Sequence, residues 1–456
     1  MPSSPTTLIL GAGIAGISAA YYLSVHYGMR DIILIDDLPP LSLTSDKSTE
    51  CYRNWWPGPG DAMVRFMNHS IDLLDNLART SGNIFNLNRR GYLYLTADPI
   101  KVPQILHAAR ESASLGGGDL RVHRGELGDP PYIPSHPTSF EDQPSGADLI
   151  LDPGMIRKYF PYISENTVAA LHARRGGWFS AQQLGAYLLE QARRNSVQTI
   201  QDRVVRIEIR ANQVTGVRLS TGTKIKCSNL VIAAGPYLKQ AGQMLGLDLP
   251  VFCELHLKVA FKDHLAVVPR HAPLLIWMDA QKLPWSEEEQ AFLQEEANTR
   301  WLLGEFPSGV HTRPEGGDDS PIALMLWEYH SETVEPHFPP PMDLNYPEIA
   351  LRGLATMLPA LSVYFGKAPR PVLDGGYYTK TRENRPLIGP LPIEGAFVIG
   401  ALSGYGLMAS QAAGDLLAMH VTQQKLPDYA AAFDLRRYES PDYQELLTRW
   451  GSSGQL

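Results

Sequence analysis

Two hydrophobic periods run along this chain, and they divide it into strands and helices. Short runs of consecutive apolar residues read as buried strands: Leu8-Ile9-Leu10, Ile32 to Ile35, Leu230-Val231-Ile232 and Ala396 to Gly400. Helical spacing places Val64, Met67, Ile71, Leu74 and Leu77 on one face of Met63 to Thr80. The same spacing predicts helices over Ser18 to Val25, Val102 to Ser114, Asp152 to Phe160, Gln182 to Arg194 and Ile349 to Leu358. A small-residue helix follows over Ala409 to Val421, where Ala412, Ala413 and Gly414 permit close packing. Val204 to Ile209 and Gln213 to Leu219 alternate as a hairpin. Further strands are predicted over Gly91 to Leu95, Leu255 to Phe261, Leu274 to Met278, Ala323 to Trp327 and Val372 to Thr379, and a charged surface helix over Ser286 to Arg300. Residues 1–5 read as a polar tail, and 116–118 with 125–147 as a glycine- and proline-rich insertion.

The strand-to-helix junction at Gly11-Ala12-Gly13-Ile14-Ala15-Gly16 carries the first chemistry. Gly11 permits a tight turn off the strand, Gly13 lets a pyrophosphate approach the backbone, and Gly16 lets helix and strand pack closely. The diphosphate would rest on the N–H groups of the helix N-terminus. Asp36 closes the second strand about twenty residues past Gly16, where a carboxylate accepts hydrogen bonds from an adenosine ribose. A glycine turn that binds nothing is the bland alternative, and a nicotinamide dinucleotide is a second ligand the motif admits. Another glycine-punctuated junction, Ser403-Gly404-Tyr405-Gly406-Leu407-Met408, lies far downstream near the other end of the chain. The Ala233-Ala234-Gly235 strand end offers a third close backbone approach.

Between these lies a polar-aromatic loop, Thr44 to Pro57, with Tyr52, Arg53, Trp55 and Trp56. Such a loop is costly to order without partners, although its aromatics could simply pack on one another. Tyr377, Tyr378 and Tyr405 are pocket candidates that could equally be packed core residues. With 456 residues, 44% hydrophobic and 19% charged, the chain is globular and long enough for two or three domains. A net charge of −8 excludes the basic field of a nucleic-acid binder. No run approaches the ~20 apolar residues of a membrane span. No signal-peptide pattern is read, the three cysteines suggest a reducing compartment, and a cytoplasmic location is expected. The thirteen histidines show no metal spacing, and His256, His311 and His330 read as structural.

These segments, with Asn384-Arg385-Pro386-Leu387-Ile388-Gly389, resemble the D-amino acid oxidase (DAO) superfamily, in its glycine oxidase, sarcosine oxidase and dimethylglycine dehydrogenase branch. The resemblance implies FAD and an α/β fold: an FAD-binding Rossmann-like domain of glutathione-reductase type, with a second α+β substrate domain on a mostly antiparallel sheet. The expected division is 1–90, 152–245 and 372–456 for FAD, and 91–151 and 246–371 for substrate. The expected cofactor-binding set is Gly11, Gly13, Ile14, Ala15, Gly16, Asp36, Asp37, Ser45, Lys47, Ser48, Thr49, Val204, Ala234, Gly235, Arg385, Gly404, Tyr405, Gly406 and Leu407. Arg53, Tyr378, Tyr405 and Lys258 are the catalytic candidates; Glu50, Tyr52, Trp55, Trp56, Tyr377 and Met408 are expected to line the substrate pocket.

By the same resemblance, Glu50 and Arg53 stand where monomeric sarcosine oxidases carry two arginines, and Met408 where they carry a lysine. Their flavin-linking cysteine falls near Gly376, and no histidine linkage matches at Ser48-Thr49, so non-covalent FAD is expected. Their oxygen-assisting lysine falls near Met325, which leaves a dehydrogenase with another acceptor open beside an oxidase; Lys258 or His256 could supply the charge. The expected substrate is a small amine or amino acid, held by Arg53 through a carboxylate or by Glu50 and the aromatics through a cationic amine. The protein is expected to be a monomer or homodimer. A non-catalytic flavoprotein is the minor alternative.

Overall fold

The computed structural model describes residues 6–448 and Trp450; the polar tail read at residues 1–5 lies outside the described residues. A six-stranded sheet runs in the order 387–390, 396–400, 229–232, 7–10, 32–36 and 198–201. All neighbours in it are parallel except Leu387–Pro390 with Ala396–Gly400. The inner strands are apolar on both faces because both are covered, as parallel sheets require, while the edge strand Gln198–Gln201 is polar and largely exposed. Ile9, Leu34, Val231 and Ile399 face a layer of helices, among them Ile14–Tyr21, Ala62–Ser81, Ala181–Arg194 and Gly406–Val421. Leu8, Leu10, Ile35, Leu230, Ile232 and Val398 face a three-stranded sheet built on the hairpin Val204–Arg210 and Gln213–Leu219. The first strand has parallel partners on both sides, so the loops beyond its carboxyl end diverge and leave a crevice there.

A second sheet of ten strands packs beside the first. Its longest strand, Phe252–Lys262, pairs antiparallel with Val372–Lys380 over nine residue pairs, from Phe252↔Lys380 to Ala260↔Val372. On its other side follow Ile322–Leu326, His311–Glu315, Leu274–Trp277, Tyr92–Thr96, Ala169–Ala173, Ala147–Ile150 and Leu120–His123, with the short Thr333–Val334 beside the long strand's start. Pairing is antiparallel except for Tyr92–Thr96 with Leu274–Trp277 and Leu120–His123 with Ala147–Ile150. One face packs on Tyr346–Met357 and its neighbours. The other turns Tyr92, Tyr94, Leu274 and Ile276 toward Trp55 and Trp178.

Sheet membership moves two of the expected boundaries. Ala169–Ala173, assigned by sequence to the cofactor part, pairs with Tyr92–Thr96 and Ala147–Ile150 in the ten-stranded sheet. Val372–Lys380, likewise assigned to the cofactor part, belongs to the same large sheet. Both are short apolar runs, and which sheet such a run joins depends on long-range pairing rather than on its own pattern. The predicted surface helix ends at Glu295 rather than Arg300, with a separate 3₁₀ turn over Arg300–Leu303. Among the described residues no helix is long and apolar enough to cross a membrane.

Candidate functional site: a cleft at two strand-to-helix junctions

The crevice beyond the first strand opens into a cleft. Gly11 adopts φ +109°, and a Cβ there would lie 2.3 Å from the Ala233 carbonyl oxygen. At Gly16 a Cβ would lie 1.9 Å from the Gly11 oxygen, so this glycine sits behind the cleft and sets how closely helix and strand approach. Gly13 starts the helix in extended geometry with no side-chain cap, and the first turn holds no acidic residue. The helix end thus keeps its positive character toward the cleft. Ser45 Oγ accepts the Ile14 N–H at 3.0 Å.

Asp36 lines the cleft, its Oδ2 accepting from Ala12 N–H at 2.6 Å and its Oδ1 from Leu38 N–H at 2.9 Å. Burial raises its pKa above the usual carboxylate range, against the pull of those two bonds. Two backbone donors leave a carboxylate further lone pairs. Across the cleft the strand Ala396–Gly400 is followed by Ala401 and Ser403, both at positive φ (52° and 49°), before the helix Gly406–Val421 begins, again with no cap bond from its N-cap side chain and no acid in its first turn. Positive φ at two non-glycine residues beside a cleft is strain held in place by the surrounding structure.

The lining brings together Gly11, Gly13, Ile14, Ala15, Asp36, Ser45, Ser48, Ala234, Gly235, Gly404, Gly406 and Leu407 with Tyr377 and Tyr378 of the large sheet. Other expected cofactor residues lie off it. Asp37 is exposed, and its carbonyl accepts from Gln201. Val204 is buried in the core between the small sheet and the six-stranded one. Arg385 is buried, donating from Nη2 to the Pro59 oxygen at 2.8 Å with its guanidinium over Trp450. Thr49 is buried, and its carbonyl accepts from Arg313 Nε at 2.6 Å. Lys47 reaches Asp374 at 2.9 Å, and its stem lies where a Cβ on Gly376 would come within 3.0 Å. Tyr405 is buried edge-on to Trp56, its hydroxyl donating to the Asn384 oxygen.

The expected substrate residues divide by strand parity. Cys51–Arg53 is a short strand, so neighbouring side chains point to opposite faces. Tyr52 turns into the core and donates to the Asn88 oxygen at 2.6 Å, which removes it from the pocket. Arg53 turns the other way, with its guanidinium 4.9 Å from the Trp56 ring centre and 5.3 Å from that of Tyr92, and Nε donating to the Trp55 oxygen. Met408 is buried in the helix-packing core rather than in the pocket, and its carbonyl accepts from Ser70. Met325 also turns away, into the core on the far face of the large sheet.

Glu50 sits at φ +57° and is engaged within the protein: Oε1 accepts Ala181 N–H at 3.2 Å, at the start of a helix, and Oε2 lies 3.7 Å from Arg313 Nη2. Lys258 pairs across the strands with Asp374, and its charge acts on Glu50.

The structure also assembles a group that sequence reading passed over. His256 stacks on Tyr378 with ring centres 3.9 Å apart and planes 15° off parallel. Its Nδ1 lies 2.9 Å from Glu328 Oε1 and its Nε2 3.3 Å from Glu254 Oε2, and Lys380 Nζ is 2.8 Å from that second oxygen. Burial alone would lower the His256 pKa, but the carboxylates outweigh it and raise it; Glu328 is held down at about 2, chiefly by His256 against its own burial. The spacing Glu254-Leu255-His256-Leu257-Lys258 was the available signal, three polar residues at period two on an otherwise apolar strand.

Comparisons with known proteins agree with this architecture. The family model described as DAO, FAD dependent oxidoreductase, matches residues 6–419. The mitochondrial dimethylglycine dehydrogenase of Mus musculus is 21% identical over 449 residues, covering 95% of this chain and 44% of that protein. The sarcosine oxidase subunit beta of Rhizobium meliloti (strain 1021) is 24% identical over 261 residues, 56% of this chain and 54% of that one. The chain thus spans about half the length of the curated relatives it matches. Among solved structures, L-proline dehydrogenase from P. horikoshii superposes with a TM-score of 0.73 at 17% identity, covering 96% of this chain and 99% of that one. Glycine oxidase from Geobacillus kaustophilus gives 0.71 at 16% identity, with 95% and 98% covered. At such identities the superpositions speak to fold alone. The match over nearly the whole chain shows that it belongs to the DAO family of FAD dependent oxidoreductases.

Proposed function

We propose that the protein uses FAD to oxidise a C–N bond of an amino acid or a secondary or N-methylated amine, giving an imine that hydrolyses. The observation that carries this reading is the cleft itself: two helix N-termini with no acid in their first turns and a strand-end carboxylate on one sheet, facing Tyr377 and Tyr378 on the other. The fit to a flavin dinucleotide rests on Gly11 and Gly13, where backbone stands in place of side chains, and on Asp36 at the end of the second strand.

Bound FAD supplies a two-electron acceptor for hydride. The chain's residues do the rest. The helix beginning at Ile14 would hold the diphosphate, and Asp36 would accept from the ribose. The N-terminus at Gly406 would supply positive potential to the cofactor. Tyr378 and the aromatic shell around Arg53 exclude water and orient the amine, and positioning of this kind supplies much of the rate. Non-covalent FAD is supported by Gly376, against which the Lys47 stem packs, and by the absence of histidine at positions 48 and 49.

The test is a visible spectrum of the purified protein, acid precipitation, and anaerobic addition of an amine and amino-acid panel. Flavin absorbance released into the acid supernatant and bleached by one N-methylated amine or amino acid supports the reading. Reoxidation by air or only by an artificial acceptor separates oxidase from dehydrogenase. A colourless protein that takes up no FAD overturns it, and flavin that no amine reduces turns it to a non-catalytic flavoprotein.

A further inference from the structure

Tyr378 reaches the cleft from the large sheet, and its direction follows from strand parity. On Val372–Lys380, Asp374, Gly376, Tyr378 and Lys380 share one face, while Leu373, of opposite parity, packs on the core beyond the sheet. A Cβ on Gly376 would lie 3.0 Å from Lys47 Cβ and 3.2 Å from Thr44 Cα. The shared face therefore looks onto the loop that carries Thr44, Ser45 and Ser48 into the cleft lining. That loop is fastened to the same strand: Thr44 Oγ1 donates to the Tyr377 oxygen at 3.0 Å, and Lys47 Nζ lies 2.9 Å from Asp374.

The partner strand Phe252–Lys262 carries Glu254 and His256 on this same face, with Tyr378 in register opposite Glu254 and Gly376 opposite His256. His256 and Tyr378 are thus diagonal neighbours across the strands, a spacing that aromatic side chains can bridge. Their rings lie nearly flat on each other, 3.9 Å between centres. Tyr378 lines the cleft and His256 does not, so the imidazole is a plate behind the ring.

The plate is itself held at both nitrogens. Nδ1 lies 2.9 Å from Glu328 Oε1 and Nε2 3.3 Å from Glu254 Oε2, and Lys380 Nζ holds Glu254 at 2.8 Å. Contacts at both nitrogens stop the buried imidazole from turning about its side-chain bonds. Removing it leaves a cavity into which the Tyr378 ring can move.

We propose that His256 is a positioning residue that limits the size of the substrate: by backing Tyr378 it keeps that wall of the cleft from retreating, so small substituents on the amine are admitted and bulky ones excluded. The proposal rests on the amine-oxidation reading above and adds a limit on the amine's size.

The experiment titrates the FAD-loaded full chain with methoxyacetate, propoxyacetate and benzyloxyacetate. These ether acids keep the shape and carboxylate of N-methyl-, N-propyl- and N-benzylglycine but lack the amine that is oxidised. Binding is read by calorimetry and by perturbation of the flavin spectrum. The wild type is expected to bind the smallest about tenfold or more tightly than the largest, within the range that added methylenes produce in a close-fitting pocket. His256→Asn keeps a hydrogen-bonding amide but has no flat ring, and should bring that ratio to within about threefold. His256→Phe puts a flat ring back and should recover part of the selectivity. A merely structural role for His256 would weaken all three ligands together and leave the ratio unchanged; that result in a folded His256→Asn protein overturns the proposal. Equal binding of the three ethers by the wild type, or binding of none, overturns it without needing a variant. The three N-alkylglycines, added anaerobically, test the underlying reading separately. Graded binding of the ethers with no flavin reduced by any amine strikes the oxidation reading and leaves the size limit standing.

Discussion

The cleft on the six-stranded sheet and the face of the ten-stranded sheet meet at Tyr377 and Tyr378, but they are made of different material. On the first, the proposed recognition is by backbone: helix ends with no acid in their first turns, glycines with no room for a Cβ, and one carboxylate tied to two N–H groups. On the second the face is built of buried side chains that hold one another, as in the run from Lys380 to Glu328 and the Arg53 aromatic sandwich. Backbone recognition tolerates changes of side chain but not added atoms at a few positions. Side-chain recognition tolerates added volume at its edges but not the removal of one charged member, since its partners then remain buried and unpaired.

Substitutions can separate these two modes. The largest effect is expected for Gly16→Ala, whose Cβ would meet backbone oxygen at 1.9 Å; relief requires the helix to move off the strand. A loss of about 3 kcal/mol or more is expected, with little flavin-loaded protein recovered, checked by the flavin-to-protein absorbance ratio and thermal melting. Gly13→Ala is the sharper control, because its Cβ meets only Ser45 Oγ at 3.3 Å. That variant should fold with wild-type melting of the apoprotein and bind FAD more weakly.

On the side-chain half, Glu254→Gln strips both Lys380 and His256 of their shared anion. A cost of about 3 kcal/mol in urea unfolding is expected, with FAD stoichiometry retained. If FAD is lost as completely as in Gly16→Ala, the two modes are not separable.

Farther along the ten-stranded sheet, Asp148 accepts from Arg121, His123 and Arg174. Burial would raise its pKa, but these partners bring it down to about 2. A depressed carboxylate contributes stability that is fully present above its unfolded pKa of about 4 and lost as pH falls through about 2. Acid unfolding should therefore show about 2 kcal/mol less pH dependence in that window for Asp148→Asn than for the wild type. The smallest effect is expected for Asp374→Asn, which releases the partly exposed Lys47 contact beside the cleft. Stability should change by under about 1 kcal/mol, less at high salt, as read by melting at two ionic strengths.

Legibility in the sequence follows the same division. The glycine turn at Gly11 to Gly16 and the acid at Asp36 could be read directly, because a tight turn, a close approach and a strand end are local demands written within about twenty residues. The alternation of the Val204 hairpin and the helical face of Ala62–Ser81 were legible for the same reason. Tyr52 could not be told from Arg53 in a dense aromatic loop until a strand over Cys51–Arg53 sent them to opposite faces.

The sequence by itself determined each strand-to-helix junction of the cleft, since a junction's demands are met by neighbours in the chain, while the order of the strands brought the distant junctions together. Only the tertiary structure decided the charged face. His256 meets Glu328, seventy-odd residues away, and Tyr378, more than a hundred away, through the register of Phe252–Lys262 against its partner strand. A shift of one residue in that register would turn Glu254, His256 and Lys258 to the opposite side, and nothing local in either strand forbids it. The register is set by the apolar residues of both strands seeking the core, a condition that exists only once the sheet has formed.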